Sequence, residues 1–355
     1  MKPFKDLTVI ELASVLAGPS VGVFFAELGA KVIKVENNKT GGDVTRSWKL
    51  ASEDKSHPYS AYYSSVNWGK ESWFMDLKNK VDRQKLDQAI YEADVVVANF
   101  KPGDAVKLGL DFDSLKKLNP NLIYGEITGF GTQHRTAYDV VLQAESGFLS
   151  MSGTAEGELC KMPVALIDIL AAHHLKEGLL LALMQHQREA KAFKVTVSLY
   201  DAALASLVNQ GTNWIMGRHI AQPMGTLHPN IAPYGELFTC KDGKQVVLAI
   251  GTNRQFIGLC EVLDIASISS DEKFLDNLLR VKNRLKLAKE LSIAIAKFNR
   301  EELTQLLLEK QVPAGALRNM REVFELPEAQ ALLQKETKEE RRLTAVKSVI
   351  FQISE

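Results

Sequence analysis

The sequence predicts an α/β protein with a large domain built on a parallel sheet, helices on both of its faces, and a second, smaller α+β domain. Short β-branched runs alternate with helix-length segments as far as about Trp214, the pattern of strands buried between two helical layers. A stretch rich in Gly, Pro, His and Asn, 217–233, then interrupts the alternation, as a linker would. Beyond it, Lys241-Asp242-Gly243 lies between two β-rich runs, and Asp-Gly is a strong hairpin signal.

Taken in order, Leu7–Leu12 (LTVIEL) reads as the first strand, Gly18-Pro19 as a turn, and Ser20–Leu28 as an apolar helix closed by Gly29. Lys31–Val35 is the next strand, and Asn67–Leu77 has mixed strand character. A helix over Val81–Glu92 leads to the strand Asp94–Ala98. Short helices at Asp104–Leu108 and Phe112–Leu118 precede the strand Leu122–Ile127. Pro163–Met184 is one long apolar helix, Lys194–Leu199 a strand and Tyr200–Trp214 a helix. In the second domain the hairpin from Tyr234 is followed by helices at Arg254–Val262, Val281–Lys297 and Arg300–Glu309, and Val346–Ile353 reads as a strand returning to the first domain. The expected division is therefore 1–216, a linker 217–233, a small domain 234–328, and a return 329–355.

The 355 residues carry 43 Lys plus Arg and 43 Asp plus Glu, a formal net charge of zero. A nucleic-acid or membrane-surface protein would be visibly basic, so neither partner is expected. The start, MKPFKDLTVIELA, lacks the apolar run of a signal peptide. Pro163–Met184 is interrupted by Asp168, His173-His174 and Lys176-Glu177, so it reads as a buried helix and not a membrane span. Cys160, Cys240 and Cys260 are odd in number and form no CxxC pair. That points to a reducing, cytoplasmic setting with no disulfide frame or zinc site, and to buried small hydrophobes as the role of these thiols ahead of the alternative, a nucleophile.

A Rossmann-like sheet invites a dinucleotide reading, but G-x-G-x-x-G is absent after the first strand, where Ala17-Gly18-Pro19 stands. Proline removes a donor and fixes the backbone, so this turn cannot wrap a pyrophosphate in the usual way. Six residues separate Asp168 from His174, a spacing that puts them on different helix faces, so no metal is expected. There is no G-x-S-x-G elbow. Asp168, in PVALIDILAA, is the informative acid. A carboxylate among apolar neighbours has to be paired or have a task, and such surroundings suit a covalent catalyst. On sequence alone a helix-capping aspartate explains it equally well.

The order of motifs resembles the class III CoA-transferases, the CaiB/BaiF group that includes formyl-CoA and carnitine CoA-transferases. The carrying residues are DLTVIELASVLAGPSVGVFFAELGAKVIKVE, Gly42-Asp43 with Thr45-Arg46, Asn67-Trp68-Gly69-Lys70 with Asp76-Leu77-Lys78, and Ala93-Asp94-Val95 to Asn99-Phe100-Lys101-Pro102-Gly103. Tyr138-Asp139, Gln143-Ala144, Ser146-Gly147, Pro163 to Asp168, Val195 to Asp201, His228-Pro229 to Pro233-Tyr234, and Val312-Pro313-Ala314-Gly315 follow in order. The resemblance implies that Asp168 is the nucleophile of a CoA transfer from an acyl-CoA to a free carboxylic acid, through an aspartyl-CoA thioester. It implies coenzyme A as co-substrate without a metal, and a homodimer of interlocked rings. By the same resemblance Val15, Leu16 and Ala17 would line the pantetheine arm, Met75, Asn99 and Phe100 the adenine side, and Lys107 the phosphates, with Asn37 and Tyr138 also among the CoA contacts.

Four positions depart from the family pattern. Leu16 stands where formyl-CoA transferases carry glutamine, which argues against formyl or oxalyl substrates. Asn37 replaces a common basic residue of the groove, and Lys107 replaces an arginine, losing its bidentate fork. The resemblance also extends to 2-methylacyl-CoA racemases, which pair the aspartate with a histidine, but Tyr138 occupies that histidine's place. Tyrosine is a poor base at neutral pH, so transfer is expected over racemisation, with an inactive acyl-CoA-binding homologue as the remaining alternative. The chain ends earlier than typical members, which shortens the returning segment.

Overall fold

The structure is a computed structural model that describes residues 2–338 and 341–354. The larger of two compact units is drawn from 2–149, 161–220 and 331–354, and the smaller from 150–160 and 221–330. The stretch 221–233, connector-like in composition, groups with the smaller unit, as does 150–160.

The larger unit runs β1 (Thr8–Leu12), α1 (Ala17–Glu27), β2 (Lys31–Asn37), α2 (Ala61–Val66), β3 (Lys70–Met75), α3 (Lys80–Tyr91), β4 (Val95–Ala98), α4 (Asp104–Leu108), α5 (Phe112–Leu118) and β5 (Ile123–Thr128). It continues through α6 (Asp139–Glu145), α7 (Leu166–His186), β6 (Phe193–Ser198), α8 (Leu199–Ala205) and α9 (Val208–Gly217). Its main sheet is of six parallel strands, in the order β3-β2-β1-β4-β5-β6. Alternate strand residues feed two cores. Val9, Val95, Val97, Ile123 and Ile127 pack under α1, α7 and α8, while Ile10, Ile33, Val96, Leu122 and Tyr124 pack with Leu86, Ile90 and Leu115 of α3 and α5. Burying each such aliphatic side chain stabilises the fold by roughly 1.5–3 kcal/mol. Gly178 lets α7 lie against β6, since a Cβ there would stand 2.5 Å from Val195 Cγ1.

Three local expectations change. Gly18 and Pro19 form the first turn of α1 itself, where a proline's missing N–H has no intrahelical partner to lose. The segment expected as one helix over Tyr200–Trp214 is two, broken at Ser206-Leu207. The expected strand over Val346–Ile353 ends at Val346; the returning chain instead forms a hairpin of β10 (Leu333–Lys338) and β11 (Arg341–Val346) outside the main sheet.

The smaller unit holds β7 (Tyr234–Thr239), β8 (Gln245–Ala249), α10 (Asn253–Val262), α11 (Ala266–Ser269), α12 (Asn277–Lys282), α13 (Arg284–Ile295), α14 (Arg300–Glu309), β9 (Ala314–Ala316), α15 (Met320–Phe324) and α16 (Pro327–Gln330). Its antiparallel sheet, β7-β8-β9, packs with α10, α13 and α14 around Phe238, Leu248, Phe256, Leu291 and Leu303. Cys240 and Cys260 are buried, whereas Cys160 is exposed, against the expectation of three buried thiols. Cys160 lies in a loop whose neighbours Leu159, Lys161 and Met162 are exposed as well, so no core draws it in. Among the described residues no helix is long and apolar enough to cross a membrane.

Candidate active site

In a 3-2-1-4-5-6 sheet the connections leave β1 and β4 in opposite directions, so a crevice opens at the carboxyl ends of those two strands. The segments bordering it here are Ala13–Leu16 after β1 and Asn99-Phe100 after β4. Asn99 ties them together: its Oδ1 accepts from the Ser14 N–H at 2.9 Å and its Nδ2 donates to the Ser14 carbonyl at 2.8 Å. Val15 follows with φ of 72°, a left-handed conformation that costs a β-branched residue energy and persists where surroundings enforce it. The enforcing partner is Asp43, whose Oδ2 accepts the Val15 N–H at 3.2 Å. Gly18 is required beside this turn, because a Cβ there would lie 2.3 Å from that of Ala13.

Asp43 is anchored in turn by fully buried charges. Lys34 Nζ is 2.9 Å from both Asp43 and Glu11, and Lys70 Nζ is 2.6 Å from the other Glu11 oxygen. Burial opposes ionisation of Asp43, but Lys34 and hydrogen bonds from Thr45 outweigh it and hold the carboxyl below its ordinary range. For Lys70 burial prevails over Glu11 and lowers its pKa to about 8. Alongside, Arg46 forks onto Glu36, holding that carboxyl down at about 2 against its burial, and lies over the Tyr63 ring at 4.0 Å.

A cavity of about 750 Å³ opens over these strand ends. Its walls include Leu12, Met75, Leu77, Phe100 and Leu108. Lys34 and Arg46 face it but are committed to the buried carboxylates; at its edge Lys78 is exposed, and so is Lys39, which pairs with Asp76 at 2.6 Å. Of the residues singled out in the sequence, Asn37, Met75 and Phe100 share this cavity. Val15 and Leu16 are half-buried in the turn beside it, Ala17 belongs to the core, and Asn99 braces the turn. Lys107 does not line it: its ammonium pairs with Asp104 in solvent, and the neighbouring Leu108 lines the wall.

Asp168 stands in the first turn of α7. It is half-buried and accepts no hydrogen bond from the described residues. Burial, and then the negative charge of Asp139, raise its pKa to about 7. The capping explanation fails here, because the acceptor for the Ile167 N–H at the start of α7 is Asp139 Oδ1, at 2.8 Å. Tyr62 on α2 completes the cluster; burial, then Asp168, Asp139 and Asp43, push its hydroxyl up to about 12. The Tyr62 ring meets Trp48 edge-on at 5.1 Å. Tyr138 itself is 62% exposed. Tyr62, Lys39 and the bracing role of Asp43 were not visible in the sequence as site features; Asp43 lay within a quoted motif, but its contact with Val15 spans 28 positions.

The larger unit thus offers a strand-end cavity of small-molecule size and, outside the lining of that cavity, a half-buried carboxyl at Asp168 held at about 7. The chain is similar to known proteins along nearly all its length. Residues 4–354 match the model of CoA-transferase family III. A succinate–glutarate CoA-transferase of Agrobacterium fabrum is 38% identical over 93% of this chain and 83% of its own. A succinyl-CoA:glutarate CoA-transferase of Mus musculus is 32% identical over 94% of this chain and 75% of its own. The crystal structure of a CaiB/BaiF family protein from Brucella suis superposes with a TM-score of 0.88 at 34% identity, covering 99% of this chain and 93% of that one. The chain therefore belongs to CoA-transferase family III, and it is a CoA-transferase.

Proposed function

We propose that the protein moves CoA from an acyl-CoA to a free carboxylic acid with Asp168 as its covalent nucleophile. The observation that carries this reading is the Asp168 carboxyl, half-buried, without a hydrogen-bond donor among the described residues, and poised at about 7. In its ionised form one Asp168 oxygen attacks the thioester carbonyl, forming a mixed anhydride and expelling the thiolate of CoA. That thiolate attacks the aspartyl carbonyl and releases the donor acid as a carboxylate, leaving CoA on Asp168 as a thioester. The acceptor carboxylate then attacks this thioester, and the same two steps in reverse restore free Asp168 and the new acyl-CoA. Each step exchanges one activated carboxyl bond for another, so the thioester's energy is retained while water is kept out.

The cavity suits the nucleotide end of the substrate. Its volume falls in the range of small-molecule sites, Phe100 and Met75 offer apolar surface, and Lys39 and Lys78 stand where phosphates would be met. Lys107, which does not line the cavity, is given a solvent-side role. Both named relatives carry succinate or succinyl and glutarate in their names, and we place the acids of this enzyme in the same class of short dicarboxylates. A homodimer is part of the proposal: α9 buries none of its residues and exposes Val208, Trp214, Ile215 and Met216, an apolar surface larger than a lone soluble helix normally leaves uncovered.

The test is to mix the protein with succinyl-CoA, quench, and digest for mass spectrometry. A CoA adduct on the peptide containing Asp168, lost in Asp168→Asn, is the expected result. Exchange of the substrate's α-hydrogen with deuterium and no adduct would sink the proposal.

A further inference from the structure

We propose that Asp139 is a positioning residue for the nucleophile, capping from α6 the helix that carries Asp168 and so fixing where that carboxylate stands. The inference rests on Asp168 being the nucleophile. α7 has no cap of its own, since Ala165 occupies the N-cap position and supplies no side-chain acceptor, and the amides of a helix's first turn need outside partners. Asp139 Oδ1 takes the Ile167 N–H at 2.8 Å, one residue before Asp168. Its second oxygen accepts from Gln143 Nε2. Gln143, itself 1% exposed, accepts the Met162 N–H at 2.9 Å through Oε1. α6 thus grips the chain at two points, Met162 and Ile167, that bracket its entry into α7.

The hold matters because Asp168 has no hydrogen bond of its own among the described residues to set its orientation. Attack on a thioester needs an oxygen in line with the carbonyl, and small misplacements of a reacting group cost large factors in rate. Asp139 is also the charge that acts on Asp168, and Tyr62 on α2 faces both. Glu27 on α1 faces Lys176, and Glu126 on β5 pairs with Lys194 on β6. These groups, and Asp201 on α8, exert no resolved pull on Asp168.

Two variants separate the cap from the charge. Asp139→Asn keeps an acceptor for the Ile167 amide and removes the charge. It should still form the CoA adduct on Asp168, with the acid limb of the rate profile moved to lower pH. Asp139→Ala removes both, and adduct formation should slow roughly tenfold to a hundredfold. Its KM for acyl-CoA should change little, and the amides of Ile167 to Ile169 should exchange faster with deuterated water. Wild-type protein that forms no adduct on Asp168 brings down the nucleophile reading and this inference with it. A wild-type adduct matched in rate and amide protection by Asp139→Ala overturns the positioning role alone. Should Asp139→Ala not fold, Asp139→Glu, which keeps the charge and displaces the acceptor from the Ile167 amide, does the same if it matches the wild type in adduct rate and amide protection.

Discussion

The Asp168 carboxyl is subject to opposing influences. As an acid in the first turn of a helix it sits where the dipole favours its anion, yet burial and Asp139 prevail and hold its pKa at about 7, above the ordinary 3.8. The nucleophile is the ionised form, so single-turnover release of CoA thiol should rise with pH through about 7 in the free enzyme and then level off. A rate flat from pH 5 to pH 9 would contradict this. The same shift has a stability consequence. Between 3.8 and about 7 the native state keeps a proton that the unfolded chain has released, so stability falls as pH rises across that window. Asp168→Asn removes this penalty. It should lower transfer by about a thousandfold or more, the scale of loss on removing a covalent nucleophile. Its melting temperature should exceed that of the wild type at pH 8 and much less so at pH 5, a gain on the order of 2 kcal/mol after allowing for partial exposure. In the sequence the local feature of Asp168, a charge among apolar neighbours, was equally readable as a helix cap, and it was the order of the surrounding motifs that singled it out. Asp139 and Tyr62 were not legible as its companions, because they come from other segments: Asp139 acts on it by charge and holds the neighbouring Ile167 amide, and Tyr62 feels the charge of both.

At the level of elements, Glu11 on β1, Lys34 on β2 and Lys70 on β3 stitch three parallel strands with buried charge. In the sequence nothing separates these charges from the other charged residues of their strands, such as Glu71 beside Lys70. Their mutual compensation depends on strand order and register, with Glu11 opposite Lys34. Glu11→Ala would leave two buried ammonium groups short of a carboxylate and should destabilise the protein by roughly 3–5 kcal/mol, read as a lower urea midpoint. Loss of under 1 kcal/mol would show that water enters the cluster. Through Asp43 the same network reaches Val15, so the turn beside the cavity should loosen as well. Strands and most helices were readable from periodicity. The errors fall where packing overrides it: Gly18-Pro19 was readable as a turn, yet it starts α1 because Gly18 can approach Ala13.

For the whole molecule, the fold class and the alternation of elements were legible from composition and pattern, whereas membership of 150–160 in the smaller unit was not, since it depends on contacts between distant segments such as the Gly225 N–H with the Gly153 carbonyl. The proposed homodimer belongs to this scale. Ile215→Asp, on the uncovered face of α9, should shift light-scattering mass from dimer toward monomer at micromolar concentration while circular dichroism stays unchanged. A wild type that is monomeric, or a variant as dimeric as the wild type, would refute the assignment of α9 to the interface.

The returning segment closes onto the start of the chain: Glu27 at the end of α1 accepts from the backbone of Ser348 and Val349 and from the Gln334 side chain. During synthesis the six strands, complete by Ser198, leave the ribosome well before the residues that hold the end of α1 in place. Contiguous units fold as they emerge, so the smaller unit has its whole sequence available while the larger is still waiting for its last piece. A chain that has not yet reached Gln334 therefore lacks the donors that hold Glu27, and a segment made after the smaller unit completes a contact begun before it.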